Sequence, residues 1–574
     1  MENNRVVGKY GLKIKNFQAA SIYECKHGFR SQYHSTDAML VNSLLLDFLY
    51  TLPKFNVHKE ESTRDVVCLE FGYGTKGFEE TIKKIDENIK KAKSEQSVKV
   101  LEGLKSNVER NAEKCVKYSR GELRKMAYRD GVDITYCTYN KQGEKIKEDT
   151  IHYRMLYRTP GKAKKGTCMF INETLYEAAH KFLYMGIELP EHNAPIVEVG
   201  AYSSLITSSI VGRVQIKPNE ILIIKDVPTC TLANAIRVAT NSLRQCYAER
   251  ANDYELTGES FDGQALIDES IFPEWGNGYI LLRQHFTKCA AFNTKIERFM
   301  RDYYGADYET ATVTDMFGRQ VAVKDIKLIT TNNACKFLKF GIDFDYWSEW
   351  LAKNDYMFGI VKTAHSSKLG DVQRMSYQMI NSLDIEAMPD VVTRTVDYIN
   401  ALKTDDETFF EYLRNNINFS NDFEVLLKLC EHNPKFVYSS YFRDRRYRII
   451  DSYVLNFKSG RAIQNADNLT IVGSPYAMLL AAVGDDPRKD PTFKVSEDYI
   501  ECWASRFEDG KYLAEFRSPF NSRNNLGYMK NTYHEYFDKY FNLGKICIAV
   551  NTIDTVWQSR NNGLTKWISV QKCA

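Results

Sequence analysis

Two β-rich stretches separated by a helical one constrain the fold of this chain more than any other feature. Residues 195–228 and 469–574 are rich in valine, isoleucine and threonine, with glycine and Pro-Asn punctuation, which predicts successive strands. Helical spacing of apolar residues dominates between them, from residue 330 to residue 430. This segregation predicts an α+β fold. At 574 residues the chain exceeds a single core, so we expect several domains.

Composition is that of an ordinary globular protein, with 44% apolar and 26% charged residues. The net charge of +3 neither predicts nor excludes a nucleic-acid partner. The 13 cysteines are scattered without a zinc-like spacing, and no signal peptide is recognisable, so we expect reduced thiols and a cytoplasmic location. No apolar run approaches the roughly 20 residues that span a bilayer, so no membrane partner is expected.

A long charged segment, residues 78–128, follows a glycine-rich stretch in the N-terminal part. Its isoleucine, leucine and valine residues recur every three or four positions, which predicts an amphipathic helix or hairpin. A packed hairpin is favoured over a projecting arm. Gly72, Gly74 and Gly77 have the G-x-G-x-x-G spacing of a dinucleotide site. The required second strand does not follow, so a glycine-rich turn is the favoured interpretation.

The stretch "FDGQALIDESIFPEWGNGYILLRQHFTKCAAFNTK", from residue 261, carries the first polar cluster that points to chemistry. Asp262 and Gly263 form a tight acidic turn before a predicted strand. A second strand, "GYILL", then runs into a stretch rich in hydrogen-bond donors. These donors are Arg283, Gln284, His285, Lys288 and Lys295. Cationic donors at a strand exit suit phosphates, although a solvated strand edge has the same composition.

A second strand exit with lysines lies in residues 358–383, "FGIVKTAHSSKLGDVQRMSYQMINSL". Lys362, His365 and Lys368 occupy the turn, and a helix is predicted from Val372 onward, with Arg374 beside its apolar face. Two separate strand exits that carry lysines are what a nucleoside triphosphate site requires.

An arginine- and tyrosine-rich stretch, "SSYFRDRRYRIIDSYVLNFKSGR", occupies residues 439–461. Guanidinium groups bind phosphates while aromatic rings stack on bases, so the pattern suits a single-stranded nucleic acid. A surface of solvated or salt-bridged arginines is the alternative. The predicted nucleic-acid contacts are Arg443, Arg445, Arg446, Arg448, Tyr441 and Tyr447.

Three of these segments resemble the motifs of one polymerase family. "FDGQALIDES" is similar to the DGxGxIS turn of the RNA-dependent RNA polymerases of RNA silencing, and "SSKLGDVQRMSYQMINSL" resembles their SMxKF…LNRQ…LL segment. "ADNLTIVGSPYAMLLAAVGDDP" looks like their VxRNPxxxPGD strand and loop. The order of the segments also matches. The resemblance extends to single-chain relatives encoded by phages and bacteria, and it covers the C-terminal part of the chain.

The resemblance implies a core of two double-psi β-barrels. Four ranges follow: a mixed α/β domain at 1–193, a first barrel-like domain at 194–385, a helical connector at 386–465, and the start of a second barrel at 466–574. Some motif positions differ from the family, since "QHFTKCAAF" lacks the glycines of QxRYxGxKG, and Gly473-Ser474 replaces Arg-Asn. These departures indicate a divergent member.

The resemblance also implies a catalytic Mg²⁺ held by an aspartate loop, DxDGD or DxDSD, because hard cations require carboxylate oxygens. "QSRNNGL" resembles the approach to that loop, but "TKWISVQKCA" then contains no acid. We therefore expect the magnesium ligands to be absent from this chain, which would be truncated or frameshifted before the loop. A natural C-terminus on an unrelated fold is the alternative.

The sequence thus predicts part of a template-directed RNA polymerase, a nucleotidyltransferase that would be inactive alone. Lys288 and Lys368 are the predicted catalytic contacts to the triphosphate. The predicted substrate-binding residues are Asp262, Gly263, Arg283, Gln284, Lys295, Lys362 and Arg374. Expected partners are single-stranded nucleic acid, nucleoside triphosphates and a second polypeptide that supplies the aspartate loop. A noncatalytic nucleic-acid-binding protein and a structural or assembly protein remain open.

Overall fold

The structure is a computed structural model that divides into two compact units. It describes residues 11–58, 61–140, 142, 145–158, 167–188, 195–365, 367–370, 372–375, 385–418, 421–496, 498–516 and 526–553. The first unit comprises Met1–Ile221, Leu281–Cys289 and Ala334–Lys362, and the second comprises Leu222–Ile280, Ala290–Asn333 and Thr363–Ala574. Both contain helices and strands, which confirms the α+β class. This division is coarser than the four predicted ranges.

The helices and strands are numbered separately in chain order. The helices are α1 Ala19–Lys26, α2 Leu44–Thr51, α3 Phe78–Lys91, α4 Glu95–Arg110, α5 Arg120–Asp130, α6 Glu173–Tyr184, α7 Ile196–Ser203, α8 Ile296–Tyr304, α9 Phe344–Ala352, α10 Met388–Thr404, α11 Asp406–Asn415, α12 Phe423–His432, α13 Ser440–Lys458, α14 Pro475–Ala482 and α15 Glu535–Tyr540. The strands up to residue 268 are β1 Gly11–Gln18, β2 Ser35–Val41, β3 Val66–Glu70, β4 Val132–Tyr139, β5 Lys145–Tyr157, β6 Cys168–Asn172, β7 Gly212–Gln215, β8 Ile221–Ile224, β9 Pro228–Thr240, β10 Cys246–Glu259 and β11 Gln264–Asp268. The later strands are β12 Tyr279–Gln284, β13 Thr287–Thr294, β14 Thr312–Thr314, β15 Gln320–Ala322, β16 Leu328–Thr331, β17 Met357–Thr363, β18 Gln373–Met375, β19 Ala462–Gln464, β20 Thr470–Gly473, β21 Ile500–Trp503, β22 Tyr512–Phe516, β23 Leu526–Asn531 and β24 Cys547–Val550.

A six-stranded sheet organises the first unit, in the order β2-β1-β3-β6-β5-β4. Adjacent strands in this sheet run antiparallel, except for β1 and β3, which run parallel to each other. Val67, Leu69 and Phe170 from the sheet pack with Leu123 and Ala127 of α5 in one buried cluster. Helix α5 begins with a capping box, because Ser119 and Glu122 each accept a hydrogen bond from the other's backbone amide.

The charged segment forms a packed helical hairpin, which confirms that prediction. Helices α3 and α4 pack against each other, and the Lys105 ammonium lies 2.7 Å from the Asp86 carboxylate. Ile85 of α3 and Val108 of α4 are buried. The hydroxyl of Ser94 accepts a hydrogen bond from the Ser97 amide and so caps α4.

The glycine-rich stretch before this hairpin is an irregular segment with a bend at Gly72 and Tyr73. A Cβ atom on Gly74 would lie 2.2 Å from the carbonyl oxygen of Tyr118, so a side chain does not fit there. Close backbone packing therefore explains Gly74 without a bound nucleotide, in agreement with the favoured interpretation.

The strand prediction is wrong for residues 196–207, where α7 and a short 3₁₀ turn form instead. Pro195 precedes the helix, and Glu198 in its first turn complements the helix dipole. Val199 and Ser203, one turn apart, are its buried residues. These local signals outweigh the β propensity of the valines and isoleucines. The rest of the stretch does contain strands, β7 and β8.

The second unit contains a pair of parallel strands, and the acidic turn directly precedes the first of them. Strand β11 pairs in parallel with β13, with Gln264 opposite Ala290, and antiparallel with β16, with Ala265 opposite Thr330. All five residues of β11 are buried. A long two-stranded ribbon, β9 and β10, precedes the turn.

Helices α10–α13 and a five-stranded sheet are also part of the second unit. The helices share a core that includes Leu402, Phe409 and Phe442, in the range predicted to be helical. The sheet has the order β20-β24-β21-β23-β22, and Cys502 and Val550 lie in its core. These strands confirm the β-rich prediction for the described part of residues 469–553. Across the described residues, no helix is both long and apolar enough to cross a bilayer.

Candidate functional site

The predicted acidic turn lies at a buried junction in the second unit. Gly263 in that turn has φ +71°, a conformation that glycine adopts without strain. The next residue, Gln264, is completely buried. Its side-chain nitrogen donates to the carbonyl oxygen of Gly473 at 2.8 Å, and its side-chain oxygen accepts from the Gly473 amide at 2.9 Å. This two-way pairing ties the start of β11 to the end of β20.

The end of β24 contacts the same junction through the residue that follows Gly473. The Ser474 amide donates to the Val550 carbonyl oxygen, and the Ser474 hydroxyl accepts from the Thr552 amide, each at 2.8 Å. A Cβ atom on Gly473 would lie 2.7 Å from the Thr552 side chain, so glycine is required there. We call the residues 260–264, 473–474 and 551–552 the three-segment junction.

The junction brings together segments that the sequence connects to one family. The turn at Asp262 belongs to "FDGQALIDES" and Gly473 belongs to "TIVGSP", two of the three resembling motifs. Strand β24 leads toward "QSRNNGL", whose Asn561, Asn562 and Gly563 lie outside the described residues. Sequence reasoning found the two motifs separately, but it missed Gln264 as the residue that joins them.

A buried carboxylate supports the turn. Asp226 is 5% exposed, and one of its oxygens accepts from the Phe261 amide at 2.9 Å and from the Val227 amide at 2.7 Å. The other oxygen accepts from the side-chain amide of Asn333 at 3.0 Å. Burial raises the pKa of Asp226 to about 6. The carboxyl group therefore holds the backbone of the turn, and its burial makes its ionisation less favourable than in water.

The magnesium ion expected from the resemblance does not fit these residues. The described parts of the chain contain no group of three or more His, Cys, Asp or Glu side chains that could hold a metal ion. The oxygens of Asp226 are occupied by amide hydrogens, so they are not available as ligands for a hard cation. We therefore assign no metal chemistry to the junction.

Lys288 lies in the first unit, next to a strained turn. The turn between β12 and β13 contains Phe286, a buried bulky residue with φ +47°. The Lys288 amide then donates to the Ala334 carbonyl oxygen at 3.2 Å. Its ammonium lies 5.9 Å from the centroid of the Tyr202 ring, and that of Lys339 lies 5.6 Å from it. Sequence reasoning named Lys288 but missed Tyr202 and Lys339.

Three of the donors predicted around Lys288, at positions 283–285, are buried in the first unit rather than displayed at a strand exit. Arg283 is 5% exposed and donates to the Leu282 carbonyl oxygen at 3.0 Å. Gln284 donates to the Met357 carbonyl oxygen and accepts from the His285 amide. Burial lowers the pKa of His285 to about 3, so the imidazole is neutral. Substrate contacts of Arg283 and Gln284 stay a prediction.

The second predicted catalytic lysine, Lys368, belongs to the second unit. Its ammonium contacts the carbonyl oxygen of Asn415, the last residue of α11. A cation there complements the helix C-terminus, which gives Lys368 a structural role. Lys295 similarly donates to the Asp538 carbonyl oxygen at 2.9 Å, whereas Lys362 is exposed on β17 of the first unit. None of these contacts tests a role in substrate binding.

The helix predicted from Val372 is wrong at its start. Residues Gln373–Met375 form β18, which pairs antiparallel with β19, and residues 376–384 lie outside the described part. The guanidinium of Arg374 lies 5.2 Å from the ring centroid of Tyr453. Pairing with a distant strand outweighs the helical spacing of the methionines, because each ladder hydrogen bond is a tertiary contact that local spacing does not reveal.

The arginine- and tyrosine-rich stretch is helix α13, and most of its cations have acidic partners. Arg445 pairs with Asp422, Arg446 pairs with Asp406, and the Arg448 guanidinium lies 2.9 Å from the Asp444 carboxylate. The exposed remainder consists of Arg443, Tyr441, which is 54% exposed, and Tyr447, which is 70% exposed. The predicted nucleic-acid surface is thus smaller than its composition suggests.

No protein-family model matches the chain, and no curated protein matches its sequence. The likeness to RNA polymerases therefore rests on the sequence motifs alone.

Proposed function

We propose that the chain is part of a template-directed RNA polymerase of the double-psi β-barrel type, related to the RNA-dependent RNA polymerases. The supporting observation is the three-segment junction, in which Gln264 joins the acidic turn to Gly473 beside the end of β24. Two motifs separated by about 200 residues of sequence meet through a completely enclosed amide, which is costly to bury unless both of its groups are paired.

The proposal gives each partner a chemical role. Nucleoside triphosphates and a single-stranded template are the ligands, and Lys288 offsets the charge that develops on the transferring phosphoryl group. Mg²⁺ is held by an aspartate loop, for which a second polypeptide is one source. The protein acts in the cytoplasm under this proposal.

Templated nucleotide binding tests the proposal directly. The purified chain is mixed with a primer–template RNA and with photoreactive 8-azido-ATP, and the labelled protein is quantified. We expect labelling to be several-fold stronger when the first unpaired template base is uridine than when it is cytidine. Equal labelling with both templates, or with none, contradicts a polymerase. A matching DNA template in a parallel series shows which strand type is used.

A noncatalytic single-strand-binding protein is the second candidate, because α13 exposes two tyrosines and an arginine. Stacking of bases on Tyr441 and Tyr447 with Arg443 on the phosphates requires neither nucleotide nor metal. Under this alternative, binding of a labelled oligonucleotide weakens steeply with salt and does not respond to nucleoside triphosphates.

A further inference from the structure

Two lysines share one aromatic ring in the first unit. The ammonium groups of Lys288 and Lys339 lie 5.9 Å and 5.6 Å from the ring centroid of Tyr202. Lys288 comes from β13 and Lys339 from the short 3₁₀ helix Lys336–Phe340, while Tyr202 lies on α7. Three separate elements therefore bring these side chains to one place.

Packed aromatic residues hold this arrangement in position. The ring of Phe340 meets Tyr202 edge-to-face at 6.3 Å and Phe286 edge-to-face at 5.3 Å. Phe286 is the buried residue with φ +47° that precedes the start of β13. Strained conformations of bulky residues persist where the surroundings fix them, and they concentrate at functional sites.

The two positive charges are not neutralised within the described residues. Neither Lys288 nor Lys339 has a carboxylate within salt-bridge distance there, although exposed lysines elsewhere, such as Lys117, do. Ammonium groups without a carboxylate partner offer positive charge and hydrogen-bond donors to an anion. Lysine binds phosphate as a compact point charge on a flexible stem.

We propose that Tyr202, Lys288 and Lys339 form a phosphate-binding site for the polyphosphate of a nucleotide or the backbone of an RNA strand. Lys288 and Lys339 contact the phosphate oxygens, and Tyr202 positions both ammonium groups through cation–π contacts. The site deepens the proposed function and rests on it for the identity of the ligand. It adds Lys339 and Tyr202 to the single lysine that the sequence indicated.

Binding of three probes separates the sources of phosphate. ATP, inorganic tripolyphosphate and a single-stranded RNA oligonucleotide are titrated against the full chain and its variants by calorimetry or anisotropy. We expect Lys288→Gln and Lys339→Gln each to weaken binding about tenfold, the size of a lost charge-assisted hydrogen bond. A loss for ATP and tripolyphosphate but not RNA identifies a free nucleotide as the ligand. The converse identifies the RNA backbone.

Two further variants test the role of Tyr202. Tyr202→Phe keeps the ring and should bind as the native chain does, whereas Tyr202→Leu should weaken binding as much as the loss of one lysine. Lys353→Gln is the matched control, because Lys353 also lies over a ring, that of Trp350, which is not part of the proposed site. Circular dichroism verifies that each variant is folded.

Two outcomes overturn the inference. Native affinity in both lysine variants places any phosphate site elsewhere, and an absence of binding for all three probes removes the site altogether. The proposed function fails separately, if phosphate binding depends on these residues but nucleotide labelling ignores the template base.

Discussion

At the scale of single residues, the junction depends on polar side chains that are enclosed by protein. Gln264 pairs with both backbone groups of Gly473, and Asp226 accepts hydrogen bonds from the Phe261 amide of the turn and from the amide of its neighbour Val227. A buried polar group is stabilising only while its partner is present, so substitutions here leave the partner unpaired. Sequence reasoning located the turn but not these residues, because a buried glutamine has the same local pattern as an exposed one.

Replacing Gln264 with leucine should lower the free energy of unfolding of the second unit by about 2–4 kcal/mol. The apolar side chain leaves the amide and the carbonyl of Gly473 without partners in a dry environment. Urea denaturation measures the change. Gln142→Leu is the matched control, since Gln142 is exposed and its replacement should have little effect. Equal stability of Gln264→Leu and the native chain would show that this pairing does not hold the junction.

Asp226 should make the stability of the second unit depend on pH. Its pKa is raised from 3.8 to about 6 by burial, so the folded chain binds the proton more tightly than the unfolded chain. The contribution of this group to the free energy of unfolding is fully present below pH 3.8. About 3 kcal/mol of it is lost as the pH rises through about 6. Urea denaturation of Asp226→Asn across that range should lack this decline. A decline identical to that of the native chain contradicts the shifted pKa.

At the scale of elements, helices with a regular apolar pattern were predicted correctly. Segments whose local sequence suits both helix and strand were not. The hairpin of α3 and α4 and the helices α10–α13 form in the ranges that were predicted to be helical. The predictions for residues 196–207 and Gln373–Met375 are wrong, because a proline start in one and a distant strand in the other decide the outcome. The β9–β10 ribbon could not be foreseen, since cross-strand register is not encoded in one strand alone.

Substitutions on the two faces of helix α13 should differ in their effect on stability. Arg446 is mostly buried, donates to the Leu402 carbonyl oxygen at 2.9 Å and pairs with Asp406. Arg446→Gln should therefore destabilise the helices by about 1–3 kcal/mol in thermal or urea unfolding. Arg443→Gln, on the exposed face, should leave stability within about 0.5 kcal/mol. A loss of stability in Arg443→Gln as large as in Arg446→Gln would contradict this division of the helix.

At the scale of the whole molecule, the candidate site is assembled from residues far apart in the sequence. The turn at Asp262, the glycine at 473 and the end of β24 lie in three segments that no local pattern connects. The order of the motifs along the sequence resembles that of one family, and that resemblance stays a prediction. The sequence could not indicate that Gln264 joins them, or that Lys339 and Tyr202 accompany Lys288, because long-range packing decides both.

The position of a primer end on the chain tests the central claim most directly. A primer–template RNA that carries 4-thiouridine at the 3′ end of the primer is irradiated with the purified chain, and the crosslinked peptides are identified by mass spectrometry. We expect crosslinks at Asp262, the half-buried residue of the three-segment junction, in the peptide that contains Asp262–Gly263. Crosslinks confined to α13, around Tyr441 and Tyr447, would contradict it and would establish simple strand binding instead.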